Sequence, residues 1–216
     1  ERRKFMLLVI CGKSATGKTT LKQYLVENYG YDPVITCTTR EQRIGEVNGE
    51  DYDFVCLDEF NKMIDNEELI EYNFFVKGWY GTKKENINLN TNQIIILEPN
   101  GVKELLKYYD YDPRIIVFEL YLCNEERYIR QIQRGDDINE IALRKEREFA
   151  TFQKQFTDNY VDYIVDVNNK TVNQLCDDLL VKVFEKKKQC LLINSESDLE
   201  EYLRRTKKIA TNILNK

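Results

Sequence analysis

One segment of this 216-residue chain has the composition and spacing of a phosphate-binding loop. Residues 12–19 read GKSATGKT, which fits G-x-x-x-x-G-K-[ST], and they follow an unbroken apolar run at 5–11. Such a loop wraps backbone N–H groups around a phosphate chain where a helix begins. We therefore expect a nucleoside triphosphate here, with the Lys18 ammonium on its β- and γ-phosphates and the Thr19 hydroxyl on Mg²⁺. The expected contacts are Gly12, Lys13, Ser14, Ala15, Thr16, Gly17, Lys18, Thr19 and Thr20.

A second group of residues has the chemistry to bind a phosphomonoester. Arg40, Arg43 and Tyr52 fall within one segment, TTREQRIGEVNGEDY. Guanidinium groups pair with phosphate oxygens in a forked geometry, and a phenol adds a further donor. Glu71 and the segment YGT at 80–82 follow. The chain therefore offers candidate sites for both a triphosphate donor and a phosphate acceptor.

Apolar runs recur along the chain at the intervals of β-α units. We predict strands at 5–11, 34–38, 94–97, 115–120 and 163–167, and helices at roughly 17–29, 100–109, 124–133, 140–157 and 171–187. This order predicts an α/β fold in which helices cover both faces of a five-stranded, mainly parallel sheet. Ligands of such sheets bind at the carboxyl ends of the strands, where the first loop lies. The agreement of strand, loop and helix argues against a chance match in a glycine-rich turn.

The β-α rhythm breaks at 40–92, which has four glycines and short alternating segments. We interpret it as a small inserted lobe with one helix, Asp58 to Asp65, capped by an acidic residue. A capping box at 197–200 precedes apolar residues at helical spacing, which predicts a C-terminal helix that either packs on its own domain or forms a dimer contact. The predicted division is a domain at 1–188, made of a core (1–39 and 93–188) and the lobe, and an extension at 189–216.

Composition argues against several classes of function. The chain has no histidine, its six cysteines form no C-x-x-C pair, and its net charge is −5. A zinc site, a disulfide framework and general attraction for nucleic acid are therefore disfavoured, and a histidine base is excluded. The basic run Lys186–Lys188 is interpreted as a solvated helix end. No apolar stretch approaches the roughly 20 residues of a membrane helix, and no signal-peptide pattern is present, so we expect a cytoplasmic protein with no membrane partner.

These motifs resemble the guanylate kinase family from about Leu7 to Phe184. Its members share the phosphate-binding loop, a T-T-R-x-P-R-x-G-E-x-x-G-x-D-Y segment, an inward glutamate and a Y-G-[ST] turn. The resemblance implies a P-loop NTPase fold and a GMP site. By position, Arg40, Arg43, Tyr52 and Tyr80 would hold the GMP phosphate, and Thr36, Glu71 and Thr82 would read the guanine. The full implied GMP site is Thr36, Arg40, Arg43, Tyr52, Glu71, Tyr80, Gly81, Thr82 and Glu98.

A carboxylate in the position of Glu71 suits guanine. Facing guanine N1–H and the 2-amino group, it accepts two hydrogen bonds, a pattern that adenine does not offer. Leaving such a carboxylate unpaired costs a few kcal/mol, which rejects the wrong base.

Arginines three and four residues apart share one face of the helix predicted near 124–134, and another follows a Gly-Asp-Asp turn. They are Arg127, Arg130, Arg134 and Arg144. The resemblance implies that the last three belong to a lid, at about 134–144, that closes over ATP and the transferring phosphoryl group. The alternative is a helix surface salt-bridged by Glu125, Glu126 and Glu140. Asn168 matches an adenine-contacting position of the family, and an ordinary turn asparagine is its alternative.

The chain also departs from the family pattern. The family usually has D-x-D-x-Q-G after its third strand, and this chain has ILEPNG at 96–101. Ile96 replaces the first acid, and Glu98 stands for the second. The other departures are Lys13, Thr36 and Gln42. Together they indicate a divergent member with altered rate or acceptor preference.

The resemblance implies ATP-dependent, Mg²⁺-assisted phosphorylation of GMP or dGMP. Lys18, Thr19-bound Mg²⁺, the acceptor arginines and the lid arginines would align and neutralise two anions, so no general base is needed. One rival is a kinase of the same fold with a different phosphorylated acceptor. The other is a catalytically inactive interaction module, which predicts a decayed phosphate-binding loop. The expected state is a monomer or a homodimer.

Overall fold

The structure is a computed structural model that describes residues 5–75 and 78–191, with side chains as far as Lys187. The strands are Leu7–Gly12 (β1), Asp32–Pro33 (β2), Cys37–Thr38 (β3), Asp53–Phe54 (β4), Leu69–Phe75 (β5), Gly78–Lys83 (β6), Gln93–Ile96 (β7), Ile115–Tyr121 (β8) and Tyr163–Asp166 (β9). The α-helices are Lys18–Tyr29 (α1), Leu57–Asp65 (α2), Pro99–Tyr108 (α3), Asn124–Gln133 (α4), Ile138–Thr151 (α5), Lys154–Tyr160 (α6) and Val172–Leu191 (α7).

The larger sheet has five strands in the order β2-β7-β1-β8-β9, all parallel. Every residue of β1 is buried, because β1 lies at the centre of this sheet and both of its faces are covered. Leu8 and Ile10 pack on one face with α1 and α7, and Leu7 and Val9 pack on the other with α3 and α6. The predicted three-layer α/β fold is confirmed, and the loop after β1 emerges at the carboxyl edge of the sheet.

The second sheet has four strands in the order β4-β3-β6-β5. It corrects the strand predicted at 34–38. Asp32–Pro33 pairs with β7, the Val34 N–H donates to the Ile94 carbonyl oxygen of β7, and the chain then crosses to the second sheet at Cys37. Pro33 has no N–H to donate, which suits an edge strand that ends quickly. Strand β3 therefore belongs to the sheet of the lobe, although the sequence pattern assigned its residues to the core.

Two helices differ from their predicted form. The helix predicted at 140–157 divides into α5 and α6 near Phe152. Because of this break, Phe156 is buried against the face of the larger sheet that carries Leu7 and Val9. Helix α2 is capped by Cys56, with Glu59 completing a capping box, instead of by an acidic residue. Phe60 of α2 is fully buried.

Helix α7 extends four residues past the predicted end and is described as far as Leu191. The capping box at 197–200 and the predicted C-terminal helix lie outside the described residues. None of the helices at 5–75 and 78–191 is both long and apolar enough to span a membrane. The five cysteines whose side chains the structure describes are free thiols: Cys11, Cys37, Cys56, Cys123 and Cys176.

Candidate nucleotide-binding and phosphoryl-transfer site

A cavity of about 610 Å³ lies between the carboxyl ends of β1 and β7, the second sheet and helices α4 and α5. It brings together most of the residues that sequence reasoning singled out. Its predicted lining residues are Ser14, Ala15, Thr16, Gly17, Lys18, Thr19 and Thr20 from the loop, Thr36, Arg40, Arg43, Tyr52, Glu71, Tyr80 and Glu98 from the acceptor side, and Arg130, Arg134 and Arg144 from the helices.

Five predicted residues do not line this cavity. Gly12 and Lys13 are the first two residues of the loop, and their carbonyl oxygens accept hydrogen bonds from Lys18 Nζ. Gly81 and Thr82 are buried in β6. Asn168 lines a second cavity, of about 450 Å³, which also contains Cys123 and Arg130. The residues that lie outside the main cavity are Gly12, Lys13, Gly81, Thr82 and Asn168.

The loop after β1 is closed on itself by short-range contacts. Gly12 has φ +145°, and a Cβ there would lie 2.7 Å from the Leu120 carbonyl oxygen, so only glycine fits. The Thr16 hydroxyl donates to the Lys13 carbonyl oxygen at 2.8 Å. Lys18 is partly buried, and the loss of solvent around its ammonium lowers its pKa, while nearby Glu98 opposes that change. The carbonyl oxygens of Gly12 and Lys13 hold the ammonium against the loop backbone, next to the start of helix α1.

On the acceptor side, Arg40 is already paired with an internal anion. Its two terminal nitrogens contact the Glu46 carboxylate at 2.7 and 2.6 Å, and its Nε donates to the Tyr80 hydroxyl at 3.1 Å. The guanidinium lies 5.0 Å from the centre of the Tyr52 ring. The hydrogen bonds from Arg40 hold the pKa of Glu46 below its usual range. Sequence reasoning quoted Glu46 only as part of a motif and gave it no role.

Arg43 differs from Arg40 in being exposed. Its guanidinium forms no hydrogen bond or ion pair with any other residue in the described ranges, although it lines the cavity. An uncompensated cation at the rim of a cavity is a natural partner for a phosphate.

Glu71 is 6% exposed and lines the cavity. One carboxylate oxygen accepts from the Thr82 hydroxyl, and the other accepts from the Asn73 amide at 3.2 Å. Burial raises the pKa of Glu71, and the hydrogen bonds from Thr82 and Asn73 oppose that rise. Thr82 thus donates to Glu71 without lining the cavity itself. Asn73, which the sequence analysis missed, lines the cavity together with Glu71.

Glu98 and Ile96 occupy the positions where the chain departs from the family pattern. Both line the cavity, at the end of β7. Burial raises the pKa of Glu98, and the neighbouring Lys18 ammonium opposes that rise. Within 5–75 and 78–191 the Glu98 carboxylate forms no hydrogen bond or ion pair, so its oxygens are available to a ligand. Ile96 places an apolar side chain where the first acid of the pattern would stand.

Arg130, Arg134 and Arg144 are salt-bridged and also line the cavity, and their role as lid residues stays a prediction. Arg130 pairs with Glu126 at 3.1 Å, and Arg144 contacts Glu140 at 3.4 Å. Arg134 and Arg144 share the carboxylate of Asp136. Arg144 is 8% exposed, and its Nε has no hydrogen-bond partner in the described ranges.

Arg127 does not join this group, although the spacing predicted one shared helix face. It is buried, it does not line the cavity, and its Nε donates to the Ser14 carbonyl oxygen at 2.9 Å. Helix α4 contacts the phosphate-binding loop through Arg127. The turn that carries Arg127 therefore faces the loop, and the following turn, which carries Arg130, faces the cavity.

Other lining residues carried no signal in the sequence. Arg147 of α5 donates to the Phe74 carbonyl oxygen at 3.0 Å, and its guanidinium lies 5.7 Å from the centre of the Phe75 ring. Asn100 and Thr151 also line the cavity. A single arginine or asparagine within an amphipathic pattern looks like any solvated residue, so these positions needed the structure.

Asn168 combines a turn role with a place at the second cavity. Its side-chain oxygen accepts from the Cys123 backbone N–H at 3.3 Å, and its amide donates to Asp166 at 2.6 Å. The turn alternative is therefore realised in the structure. The same side chain lines the second cavity together with Arg130.

A phosphate-binding loop at the edge of a parallel sheet, facing an arginine-rich site across one cavity, defines a P-loop phosphotransferase that acts on a phosphorylated acceptor. A family model described as guanylate kinase matches residues 4–192. The chain belongs to the guanylate kinase family. It is thus a nucleoside monophosphate kinase, and the family implies ATP as phosphoryl donor and nucleotides as substrates.

Relatives agree with this assignment. The chain is 31% identical over 194 residues to guanylate kinase of Lactobacillus acidophilus, covering 81% of this chain and 95% of that protein. It is 33% identical over 192 residues to guanylate kinase of Lactococcus lactis, covering 85% and 89%. The crystal structure of guanylate kinase from Anaplasma phagocytophilum superposes with a TM-score of 0.61 at 20% identity, over 85% of this chain and 86% of the other, which shows the shared fold.

Proposed function

We propose that this chain transfers the γ-phosphoryl group of ATP to GMP or dGMP, giving ADP and the nucleoside diphosphate. One observation carries the proposal: a single cavity is lined by Lys18 of the phosphate-binding loop, by Arg40 and Arg43, and by the buried Glu71. A donor triphosphate and an acceptor monophosphate would meet in this space with their charges neutralised.

On the donor side, the triphosphate would lie against the backbone N–H groups of the loop and against Lys18. The residues present fit Mg²⁺, because the Thr19 hydroxyl and the Glu98 carboxylate offer oxygen donors at the cavity wall. No cluster of three or more acidic, cysteine or histidine side chains occurs in the described ranges. That suits an ion held by one or two protein oxygens and by substrate phosphates. When bound, Mg²⁺ would neutralise charge on the β- and γ-phosphates.

On the acceptor side, Arg40, Arg43, Tyr52 and Tyr80 would hold the GMP phosphate. Since Glu46 already occupies the Arg40 fork, we assign the first contact to Arg43 and a shared or displaced contact to Arg40. The base would reach Glu71, whose two oxygens each accept one neutral hydrogen bond and retain capacity for another.

The rest of the proposed guanine contact uses Thr36 at the cavity wall and Thr82 behind Glu71. Gly81 keeps the strand close-packed, because a Cβ there would lie 3.0 Å from Leu69. Adenine presents no pair of N–H groups to this carboxylate, and a buried acceptor left unpaired costs about 1–3 kcal/mol.

The chemical step would need no general base, because the acceptor phosphate is largely ionised near neutral pH. Arg130, Arg134 and Arg144 would close over the phosphates and exchange part of their pairing with Glu126, Glu140 and Asp136 for the charge that develops in transfer. Closure would also exclude water, which otherwise hydrolyses ATP. Asn168 at the second cavity is the proposed contact for adenine of ATP.

The test is a coupled ADP-release assay with Mg-ATP and, in parallel, GMP, dGMP, AMP, CMP and UMP. We expect turnover with GMP or dGMP and at least about 100-fold lower kcat/KM with AMP. Turnover with none of the five would overturn the proposal.

Ile96 favours one alternative, a kinase with a different phosphorylated acceptor, because it removes a polar contact from the acceptor side of the cavity. The inactive module is disfavoured by a loop that retains Gly12, Gly17, Lys18 and Thr19. We further propose that the chain works in the cytoplasm as a monomer or homodimer, a location supported by the free thiols of Cys11, Cys37, Cys56, Cys123 and Cys176.

A further inference from the structure

The Arg127–Glu148 ion pair makes hydrogen bonds to both backbone groups of Ser14, in the phosphate-binding loop. Glu148 accepts the Ser14 backbone N–H with one carboxylate oxygen and pairs with Arg127 through the other. Arg127 in turn donates from Nε to the Ser14 carbonyl oxygen at 2.9 Å. Both side chains are almost fully buried, at 8% and 4% exposure. The N–H and C=O groups of Ser14 are thus both satisfied by one ion pair.

The pair lies behind the loop, not in the cavity. Neither Arg127 nor Glu148 lines the cavity, whereas Ser14 does. No atom of the pair is therefore placed to touch a substrate in the main cavity, and any effect on the reaction must act through the loop.

The two helices that supply the pair also carry the lid arginines. Arg127 and Arg130 are three residues apart on α4, and Arg144 and Glu148 are four apart on α5. Residues at these spacings are neighbours on a helix face. The pair consequently joins three segments at one point: the loop and the two helices whose arginines face the cavity.

The charges of the pair act on the loop in opposite directions. Glu148 raises the pKa of Lys18 and Arg127 lowers it, so the two effects offset each other beside the ammonium. Removing either member leaves a buried charge without its partner next to the phosphate site.

We propose that Arg127 and Glu148 are positioning residues of the donor site, which fix the Ser14 peptide and hold the phosphate-binding loop in register with the lid helices. The inference deepens the proposed function, on which it rests for the identity of the donor. A single apolar pair of similar volume could fill the same space, but it could not hold the two polar groups of Ser14.

The test separates positioning from packing by comparing two variants. Arg127→Met leaves Glu148 unpaired, whereas the double variant Arg127→Met/Glu148→Met replaces the pair with apolar side chains. Replacing a buried ion pair in this way often restores stability. We expect the double variant to regain the melting temperature lost in the single one, yet to bind the non-hydrolysable analogue Mg-AMPPNP about tenfold more weakly than wild type. Its kcat should fall, and its KM for GMP should stay within about twofold.

Glu148→Gln provides a second variant that keeps the volume. Glutamine has one acceptor oxygen, but Ser14 N–H and Arg127 both donate here, so one contact must be lost. We expect at least about fivefold weaker Mg-AMPPNP binding. Arg114→Met is the matched control, because it breaks the Arg114–Asp112 pair, neither member of which lines the cavity.

Wild-type affinity for Mg-AMPPNP in both the double variant and Glu148→Gln would overturn the inference and leave the pair a packing feature. Failure of the wild-type chain to bind Mg-AMPPNP would overturn it as well. Binding of the analogue without turnover of GMP would overturn only the proposed function, and the comparison of variants would then still decide this inference.

Discussion

Glu71 is a buried carboxylate with no cationic partner in the described ranges. Its two contacts come from neutral groups, the Thr82 hydroxyl and the Asn73 amide. A charge held only in this way is costly to bury, and the cost is offset when a ligand supplies further N–H donors. At the scale of single residues, recognition of the base therefore depends on Glu71 being ionised, and a bound base in turn stabilises the ionised form.

Glu71→Gln should raise the KM for GMP by about 100-fold, because the amide replaces one acceptor with a donor that opposes a guanine N–H. Steady-state kinetics with GMP varied at saturating ATP measures this. Glu68→Gln is the matched control, since Glu68 is exposed, lies outside the cavity and accepts a side-chain hydrogen bond from the Asn66 amide. Equal KM values for the two variants would contradict the assignment of Glu71.

The pH dependence should reveal the raised pKa of Glu71. Because the ionised form accepts from guanine, kcat/KM for GMP should fall as the pH drops towards that pKa, which burial has moved upward. Asn73→Ala removes one hydrogen bond to the ionised form, so its pKa should rise further and the profile should shift to higher pH by up to about one unit.

Comparing the two profiles isolates Glu71, because the GMP phosphate titrates identically in both assays. Superposable profiles for wild type and Asn73→Ala would argue against a contribution of Asn73 to Glu71.

At the scale of elements, the acceptor site depends on how helix α3 meets strand β5. A Cβ at Gly101, in the first turn of α3, would lie 2.8 Å from a carboxylate oxygen of Glu71. The glycine lets the helix start directly against the carboxylate, and the positive end of the helix dipole stabilises the charge. Gly101 ends the ILEPNG segment noted in the sequence, but the contact that it permits is with Glu71, which is distant along the chain.

Gly101→Ala tests this packing. The substitution favours the helix by up to about 1 kcal/mol, but it must displace the Glu71 carboxylate, with an overpacking cost of about 1–3 kcal/mol. We expect a lower melting temperature and a higher KM for GMP, with unchanged binding of Mg-AMPPNP. A more stable variant with wild-type KM would show that the carboxylate yields without cost.

Elements were predictable where the local pattern was strong. The apolar runs located β1, β7, β8 and β9, and the phosphate-binding loop could be read from its spacing. The prediction of a strand at 34–38 failed because Val34 bonds to β7 of the larger sheet whereas Cys37 and Thr38 pair with β6 of the smaller one. These partners are distant in sequence, so the local pattern could not reveal the change of sheet. Arg127 failed for a similar reason, since helix spacing gives a shared face but not the angle at which α4 meets the loop.

At the scale of the whole molecule, the two anion sites are built by different sheets and face each other across one cavity. Lys18 follows the larger sheet, and Arg40 follows β3 of the smaller one. This separation predicts that changes on one side leave ground-state binding on the other side intact. The identity of each site could be read from the sequence, but their facing arrangement depends on the crossing between sheets.

Arg40→Ala should raise the KM for GMP by about tenfold or more and leave Glu46 without its main partner. Affinity for Mg-AMPPNP, measured by calorimetry, should remain within about twofold of wild type. A parallel loss of analogue affinity would mean that the two sites are not separable.

The crossing between the sheets also bears on how the chain opens. Both connections to the smaller sheet pass one point, where the Asn86 amide donates to the Ile35 carbonyl oxygen at 2.7 Å. Elsewhere the smaller sheet meets the rest of the molecule where β5 packs on α3, beside Gly101, and where Arg147 of α5 donates to the Phe74 carbonyl oxygen. A sheet whose two chain connections lie together can open as a cooperative unit when these packing contacts break with it. Amide hydrogen exchange should therefore show β5 and β6 losing protection together, at lower free energy than β1, so that the acceptor half of the molecule melts while the donor half stays folded.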